Sequence, residues 1–334
     1  MVRVGIIGLG FMGRMHLSAY EKIHGVSIVA ISDVDPKRAA GDLSGGWGNV
    51  AGAATGLKGD FRGTTDWREL IQWSEVDIVD ICVPTPQHVE IAIAALAAEK
   101  HVLCEKPMAN DSQDAHRIAE AAAKAKGMFM PAMCMRFWPQ WAWLKAAVID
   151  GTYGKVLGAT FRRVASMPPG WFADGAKSGG AILDLHIHDT DFVYHLFGMP
   201  VGVFSRGYVK TSGRTDHIVT QYIYSHIPVV SAEGSWCMAD TFNFSMRYTV
   251  NFENATADFD ISREKPLMLH SQGKATPIEM TGDGYEAELR YFIDCVQTNR
   301  RPWIVTADDA VASIQIIEAE QRSLTQGGAV KING

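Results

Sequence analysis

The sequence is short of cysteine, and what it has is poorly placed for chemistry. Cys82, Cys104, Cys134, Cys237 and Cys295 are odd in number and far apart, with no C-x-x-C pair, which excludes a zinc knuckle or a redox dithiol. They are expected to be reduced core thiols. A basic excess is missing too: 31 Lys and Arg stand against 37 Asp and Glu, a formal charge of −6, so nothing advertises nucleic acid or an anionic membrane as a partner. The apolar run within Met1 to Gly10 is interrupted by Gly5 and Gly8 and is too brief for a signal-peptide core or a membrane span. Internal repeats, low-complexity tracts and any motif for a Ser or Cys nucleophile are absent. These absences predict a cytoplasmic chain that meets small molecules.

What is present is a 334-residue chain, long enough for two cores, written in two grammars. Short β-branched runs alternate with helical stretches through the first third, a pattern that demands a parallel sheet with crossover helices. Strands are predicted at Val2 to Ile7, Val26 to Ser32, Val76 to Val83, His101 to Cys104 and Met128 to Met133. Helices are predicted at Phe11 to Lys22, Trp67 to Gln72 and Val89 to Glu99, with another opened by Asp111 and Asp114 and running to about Lys126. Gly41 to Gly63 is rich in Gly and Ala and predicts a short helix inside a loop.

Long strand candidates then dominate: Lys155 to Val164, Val201 to Lys210, Asp216 to Ser225, Val229 to Trp236, Ser245 to Phe252 and Thr256 to Ile261. Tyr248, Val250 and Phe252 alternate with Arg247, Thr249 and Asn251, as in a half-buried antiparallel strand. Amphipathic helices at Glu286 to Thr298 and Asp308 to Leu324 would cover one face of that sheet. Its other face keeps apolar residues such as Val219 and Ile223, which predicts a homodimer or homotetramer.

Gly8-Leu9-Gly10-Phe11-Met12-Gly13 is a G-x-G-x-x-G placed directly between a strand and a helix. The first glycine permits the tight turn, the second lets a pyrophosphate approach the backbone, and the third lets helix and strand pack closely. Asp33 stands at the end of the second strand, where a carboxylate accepts hydrogen bonds from adenosine ribose hydroxyls. This makes residues 1–127 a Rossmann domain and residues 128–334 an α+β domain with an open, mostly antiparallel sheet, an α/β chain overall. Asp33 favours NAD, because a 2′-phosphate would meet a like charge; Lys37 and Arg38 nearby leave NADP open.

Further motifs follow. Val83-Pro84-Thr85-Pro86-Gln87-His88 and Cys104-Glu105-Lys106-Pro107 each follow a strand, and Gly179-Gly180 leads into Asp184 and His188. With the glycine motif, these make the chain resemble the Gfo/Idh/MocA family, the glucose-fructose oxidoreductase and inositol dehydrogenase relatives, over nearly its whole length. The resemblance implies NAD(P)-linked oxidation or reduction of sugars, inositols and similar polyols, with Lys106, Asp184 and His188 as the catalytic set. It sets Gly8, Gly10, Phe11, Met12, Gly13, Asp33, Pro84, Thr85, His88, Glu105 and Lys106 toward the cofactor. His186 stands where many relatives carry a small residue, so the pocket near it is expected to differ.

Alcohol oxidation sends a hydride to the nicotinamide and a proton to a base. An ordinary imidazole titrates at about 6.5 and suits the second task. Asp184 lies four residues before His188, on one face of a helix predicted from about Ala181 to Phe197 and stopped by Gly198 and Pro200. Lys106 sits at a strand's C-terminal end, where ligands of such sheets bind, and its ammonium can stabilise a developing alkoxide. Proton transfer is assigned to His188, with Lys106 the alternative base if desolvated. Arg136, Trp171 and His186 are candidate substrate-pocket residues. His16, His88 and His195 can equally be structural. His186-Ile187-His188 spells a metal-binding H-x-H only on a strand; on a helix the two rings diverge by about 200°, so no metal is expected. Two rivals stay open, an NAD-using glycoside-cleaving enzyme and a non-catalytic dinucleotide sensor, the latter disfavoured by an intact catalytic set.

Overall fold

The computed structural model describes residues 1–44, 52–57 and 59–332. Two compact units emerge, one of residues 1–137 with 282–311 and the other of 138–281 with 312–334. A single boundary after residue 127 is therefore replaced by a chain that leaves the first unit at Phe137 and returns at Gly282. The cause lies in pairing: strand Phe129–Ala132 joins the first sheet, and helix Gly284–Thr298 packs on helix Phe11–Tyr20.

In the first unit, β1 (Val2–Ile7), α1 (Phe11–Tyr20), β2 (Val26–Ser32), α2 (Pro36–Ala39), β3 (Arg62–Thr64), α3 (Trp67–Leu70), β4 (Ile78–Ile81), α4 (His88–Ala97), β5 (His101–Glu105), α5 (Ser112–Lys124) and β6 (Phe129–Ala132) follow in order. The strands form one parallel sheet ordered β3-β2-β1-β4-β5-β6. Strand order reverses between β1 and β4, so the ligand crevice of such a sheet opens at the C-terminal ends of these strands. Asp111 caps α5 as predicted, accepting the Asp114 N–H at 2.8 Å. Within 41–63, where a short helix was predicted, residues 45–51 and 58 lie outside those described; the described ones hold no helix but an Asp42–Gly56 bridge and the start of β3.

The second unit contains α6 (Pro139–Asp150), β7 (Val156–Val164), α7 (Gly175–Ser178), α8 (Gly180–Asp184), α9 (Ile187–Phe197), β8 (Gly202–Tyr208), β9 (His217–Ile223), β10 (Val229–Ser235), β11 (Ser245–Phe252), β12 (Thr256–Asp260), β13 (Leu267–Ser271) and β14 (Lys274–Pro277). The chain then returns to the first unit as α10 (Gly284–Thr298), passes from one unit to the other within α11 (Ala307–Gln326) and ends in β15 (Val330–Lys331). The sheet runs β14-β13-β12-β11-β7-β10-β9-β8-β15, antiparallel except for β7 and β10. Tyr248, Val250 and Phe252 point inward and Arg247 and Asn251 outward, the period-2 alternation read from the sequence. No described helix is long and apolar enough to cross a membrane.

Helix α6 was not anticipated. Pro139 occupies its first turn, where a missing N–H costs nothing, and Gly151 ends it at φ 63°. Trp141 on α6 is fully buried, edge-on to Phe192 at 4.7 Å and to Tyr248 at 5.3 Å. The predicted helix 181–197 is broken at Leu185 and His186. The His186 N–H reaches back five residues to Ala181 O at 2.8 Å, and the His188 N–H only three, to Leu185 O at 3.3 Å. This local widening swings the His186 ring against Gly234, where a Cβ would stand 2.7 Å from its Nδ1. Asp184 and His188 accordingly stand on either side of this turn between α8 and α9.

Replacing Trp141 by Ala removes the ring at the centre of this aromatic cluster. Urea unfolding followed by circular dichroism should show a loss of about 3–5 kcal/mol; a loss below ~1 kcal/mol would mean that the surrounding rings close over the gap.

Candidate functional site

The dinucleotide turn is shaped by three glycines doing different things. Gly8 adopts φ +90°, and a Cβ there would lie 2.6 Å from Cys82 O. A Cβ on Gly13 would lie 1.9 Å from Gly8 O, so only glycine lets α1 sit this close to the end of β1. Around Gly10 a Cβ would meet nothing within 4 Å, which marks the open side of the turn. Gly10 also supplies no side chain to cap α1, leaving the positive end of the helix dipole to a ligand's phosphates. Phe11 and Met12, half-buried, occupy the first turn of α1.

Asp33 braces this turn. Its Oδ2 accepts the Leu9 N–H at 2.7 Å and its Oδ1 the Asp35 N–H at 2.9 Å, while Arg38 pairs with Oδ2 at 3.2 Å. Of the two cations beside the site, Arg38 is thus engaged by Asp33 and Lys37 is exposed. The residues present fit a dinucleotide: an open backbone at Gly10, a helix N-terminus and a carboxylate at the end of β2.

A second group gathers at the ends of β4 and β5. Lys106 is half-buried just past β5; Glu105 Oε2 accepts its N–H at 3.0 Å, and the Lys106–Pro107 peptide is cis. Thr85 is buried and Pro84 half-buried in the turn after β4. His88 is enclosed, its Nδ1 2.9 Å from Pro107 O and its Nε2 2.8 Å from Val83 O. Burial pushes its pKa down, against the pull of the two carbonyls. Both nitrogens are thereby committed to backbone.

Behind this turn is a network that the sequence motifs did not reveal. His16 on α1 hydrogen-bonds Asp80 Oδ2 through Nδ1 at 2.9 Å, and its Nε2 stands 3.2 Å from Glu105 Oε1 as an ion-pair contact without hydrogen-bond alignment. Burial opposes a charged ring there, but Asp80 and Cys82 together outweigh it and hold the imidazole pKa well above its usual value. The Cys82 thiol lies 3.4 Å from Asp80 Oδ1, and burial raises its pKa. His16, Asp80 and Cys82 bring ligand-type atoms within 4.8 Å of one another, yet these atoms hydrogen-bond each other, and a protonated thiol is a poor metal ligand. The available signal was Asp80, a carboxylate inside the apolar strand Ile78-Val79-Asp80-Ile81.

In the second unit Asp184 is buried at the end of α8 and His188 is half-buried in the first turn of α9. His186 is fully enclosed, with Nε2 3.3 Å from Tyr222 Oη and 3.4 Å from Glu320 Oε2. Trp171 stacks on Phe172 with centroids 4.4 Å apart and stays half-buried. Arg136, in the first unit, donates to Ile304 O at 2.7 Å and pairs with Asp309 Oδ2 at 3.3 Å. Asp309 in turn forms a reciprocal capping box with Thr306 at the start of α11. Arg136 therefore ties the segment before α11 to the end of the first sheet.

A parallel sheet with a braced glycine turn at its switch point defines a dinucleotide-binding oxidoreductase domain. Residues 2–133 match a family model described as "Oxidoreductase family, NAD-binding Rossmann fold", and residues 141–258 match the "GFO/IDH/MocA C-terminal domain". The chain belongs to the GFO/IDH/MocA family and is an NAD-binding oxidoreductase. It is 33% identical to the inositol 2-dehydrogenase of Acidothermus cellulolyticus over 98% of this chain and 94% of that protein. It is 29% identical to the myo-inositol 2-dehydrogenase of Thermotoga maritima over 99% and 98% respectively. The crystal structure of a probable dehydrogenase from Thermotoga maritima matches with a TM-score of 0.81 at 27% identity, covering 99% of each chain.

Asp33→Ser should weaken NAD binding by roughly 10- to 100-fold, the cost of about one charge-assisted hydrogen bond, while releasing Arg38 toward a 2′-phosphate and raising NADP affinity. Titration of both cofactors by fluorescence checks this; an unchanged NAD/NADP ratio would place the ribose elsewhere.

Proposed function

We propose that this protein is a cytoplasmic NAD-dependent dehydrogenase that oxidises a secondary alcohol of a cyclic polyol or sugar, with inositols the first class to try. One observation carries the reading. Lys106 stands at the C-terminal end of β5, its backbone N–H held by the Glu105 carboxylate, beside the switch point where the Asp33-braced turn would hold the dinucleotide. The likeness to inositol 2-dehydrogenases supports the substrate class. NAD, when bound, supplies the hydride acceptor.

The chain's own groups supply the rest. Lys106 holds the reacting oxygen and offsets negative charge as the alkoxide develops. His188 takes the hydroxyl proton, and Asp184 favours the imidazolium that results. The face of the second sheet away from its helices exposes Val219, Ile223 and Val229, which are 43%, 38% and 49% exposed. Burial of that surface between copies gives a homodimer or homotetramer; light scattering that finds a monomer at micromolar concentration would refute the assembly.

A screen of inositols, sugars and sugar acids for NADH formation tests the activity. Stoichiometric recovery of tightly bound cofactor with no NADH released would favour transient oxidation in a glycoside-cleaving cycle. With a substrate in hand, His188→Asn should lower turnover by roughly 10²- to 10⁴-fold and remove the acidic limb of the pH profile for oxidation. Lys106→Met should damage both substrate affinity and rate. Near-normal turnover with the limb intact in His188→Asn, and its loss in Lys106→Met, would reverse the two roles.

A further inference from the structure

His88 opens α4 yet takes no part in a surface. It is 1% exposed, and its two nitrogens face two backbone carbonyls on different loops. Carbonyl oxygens only accept, whereas a neutral imidazole has a single N–H to donate. A neutral ring therefore donates to one carbonyl and turns a lone pair toward the other, while a protonated ring donates to both. In either state the ring spans the gap between Val83, two residues past β4, and Pro107, the residue after Lys106. On the far side of Lys106 the Glu105 carboxylate accepts the Lys106 N–H and rests against His16. The backbone carrying Lys106 is thus gripped at both neighbours.

We propose that His88 is a positioning residue, which through the Pro107 carbonyl sets the direction in which the Lys106 side chain is presented to the reacting oxygen. The proposal rests on the reading of Lys106 given above. Its energetic logic is that of orientation: a displacement of about 1 Å at a reacting group costs on the order of 10²-fold in rate. The Val83 contact serves a different end, since it ties the ring to the loop after β4 and leaves Lys106 untouched. The two nitrogens therefore do separable jobs, which a pair of amide substitutions can resolve.

His88→Asn places an amide donor near the position of Nδ1 and retains the Pro107 contact. His88→Gln places it near Nε2 and retains only the Val83 contact. Each variant forfeits one buried hydrogen bond, so a merely structural role predicts equal losses. Positioning predicts unequal ones: with NAD and a substrate from the screen, kcat should fall roughly 30- to 100-fold in His88→Gln and only about 5-fold in His88→Asn, with KM for NAD within about 3-fold in both. Lysine methyl NMR provides a readout that needs no substrate. After reductive ¹³C-methylation, the Lys106 signal, assigned by its absence in Lys106→Arg, should move in His88→Gln and stay in place in His88→Asn. Equal kcat losses in the two variants, or an unmoved Lys106 signal in His88→Gln, would overturn the proposal. Near-normal turnover in Lys106→Met would instead remove the reading of Lys106, and the proposal with it; a dead Lys106→Met beside a normal His88→Gln removes the proposal alone.

Discussion

The close approach of α1 to the ends of β1 and β4 is the constraint from which the first unit's site follows. It exists because positions 8 and 13 have no Cβ: one would collide with Cys82 O, the other with Gly8 O at 1.9 Å. With the helix pressed this near, its next turn brings His16 into the space between β4 and β5, where Asp80 and Glu105 await it. Glu105 in turn receives the Lys106 N–H. A steric fact about glycine is thereby carried, through one imidazole and one carboxylate, to the residue at the mouth of the crevice. Alanine at position 13 would lift α1 off the sheet and disturb the phosphate side and the lysine side together.

The buried charges on this path are better understood as specifying geometry than as adding stability. Removing ions from water costs several kcal/mol each, and mutual attraction repays this only when every partner is in place. His16, hydrogen-bonded to Asp80 and 3.2 Å from Glu105 without hydrogen-bond alignment, goes part of the way to that condition, and its pKa is held well above the usual value despite burial. The second unit repeats the device: Arg163 reaches Asp189 by two bonds at 3.1 and 3.2 Å, almost fully enclosed, with its guanidinium 5.4 Å from the Trp141 ring. An apolar core tolerates small slips of a helix against a sheet. A buried ion pair does not, because a slip leaves a charge unpaired. Asp189 lies one residue from His188, so the start of α9 is held in register.

What could be read from the sequence was what repeats with a period or fits a local motif. The parallel strands appear as apolar runs because both of their faces are covered, and β9 and β11 as alternating runs because only one face is. The glycine turn, Asp33 and the Asp111 cap are local signatures, and each lies where its pattern predicts. Less visible was anything set by tertiary partners. Helix α6 carries apolar residues around much of its circumference and lacks a side-chain cap, so periodicity gives it no clear face. The break at Leu185 and His186 depends on Gly234, 48 positions away, and no window of helical length contains both. The return of α10 and the start of α11 to the first unit is likewise a matter of packing, recorded locally only in the Thr306 and Asp309 capping box and paid out through Arg136.

The break before α9 and the turn after β5 have a common logic. Both set a side chain of the proposed catalytic set beside irregular backbone, Lys106 just beyond β5 and His188 in the first turn of α9, two residues after His186. Regular elements orient side chains by their own period; a group that must meet a substrate atom needs a direction the period does not offer. Irregular backbone supplies that direction but lacks rigidity, and here buried side chains brace it: His88 against the Pro107 carbonyl in one unit, and in the other His186, whose Nε2 lies beside the Tyr222 hydroxyl and the Glu320 carboxylate. The His186 ring is fully enclosed and packs against Gly234, next to the turn that separates Asp184 from His188.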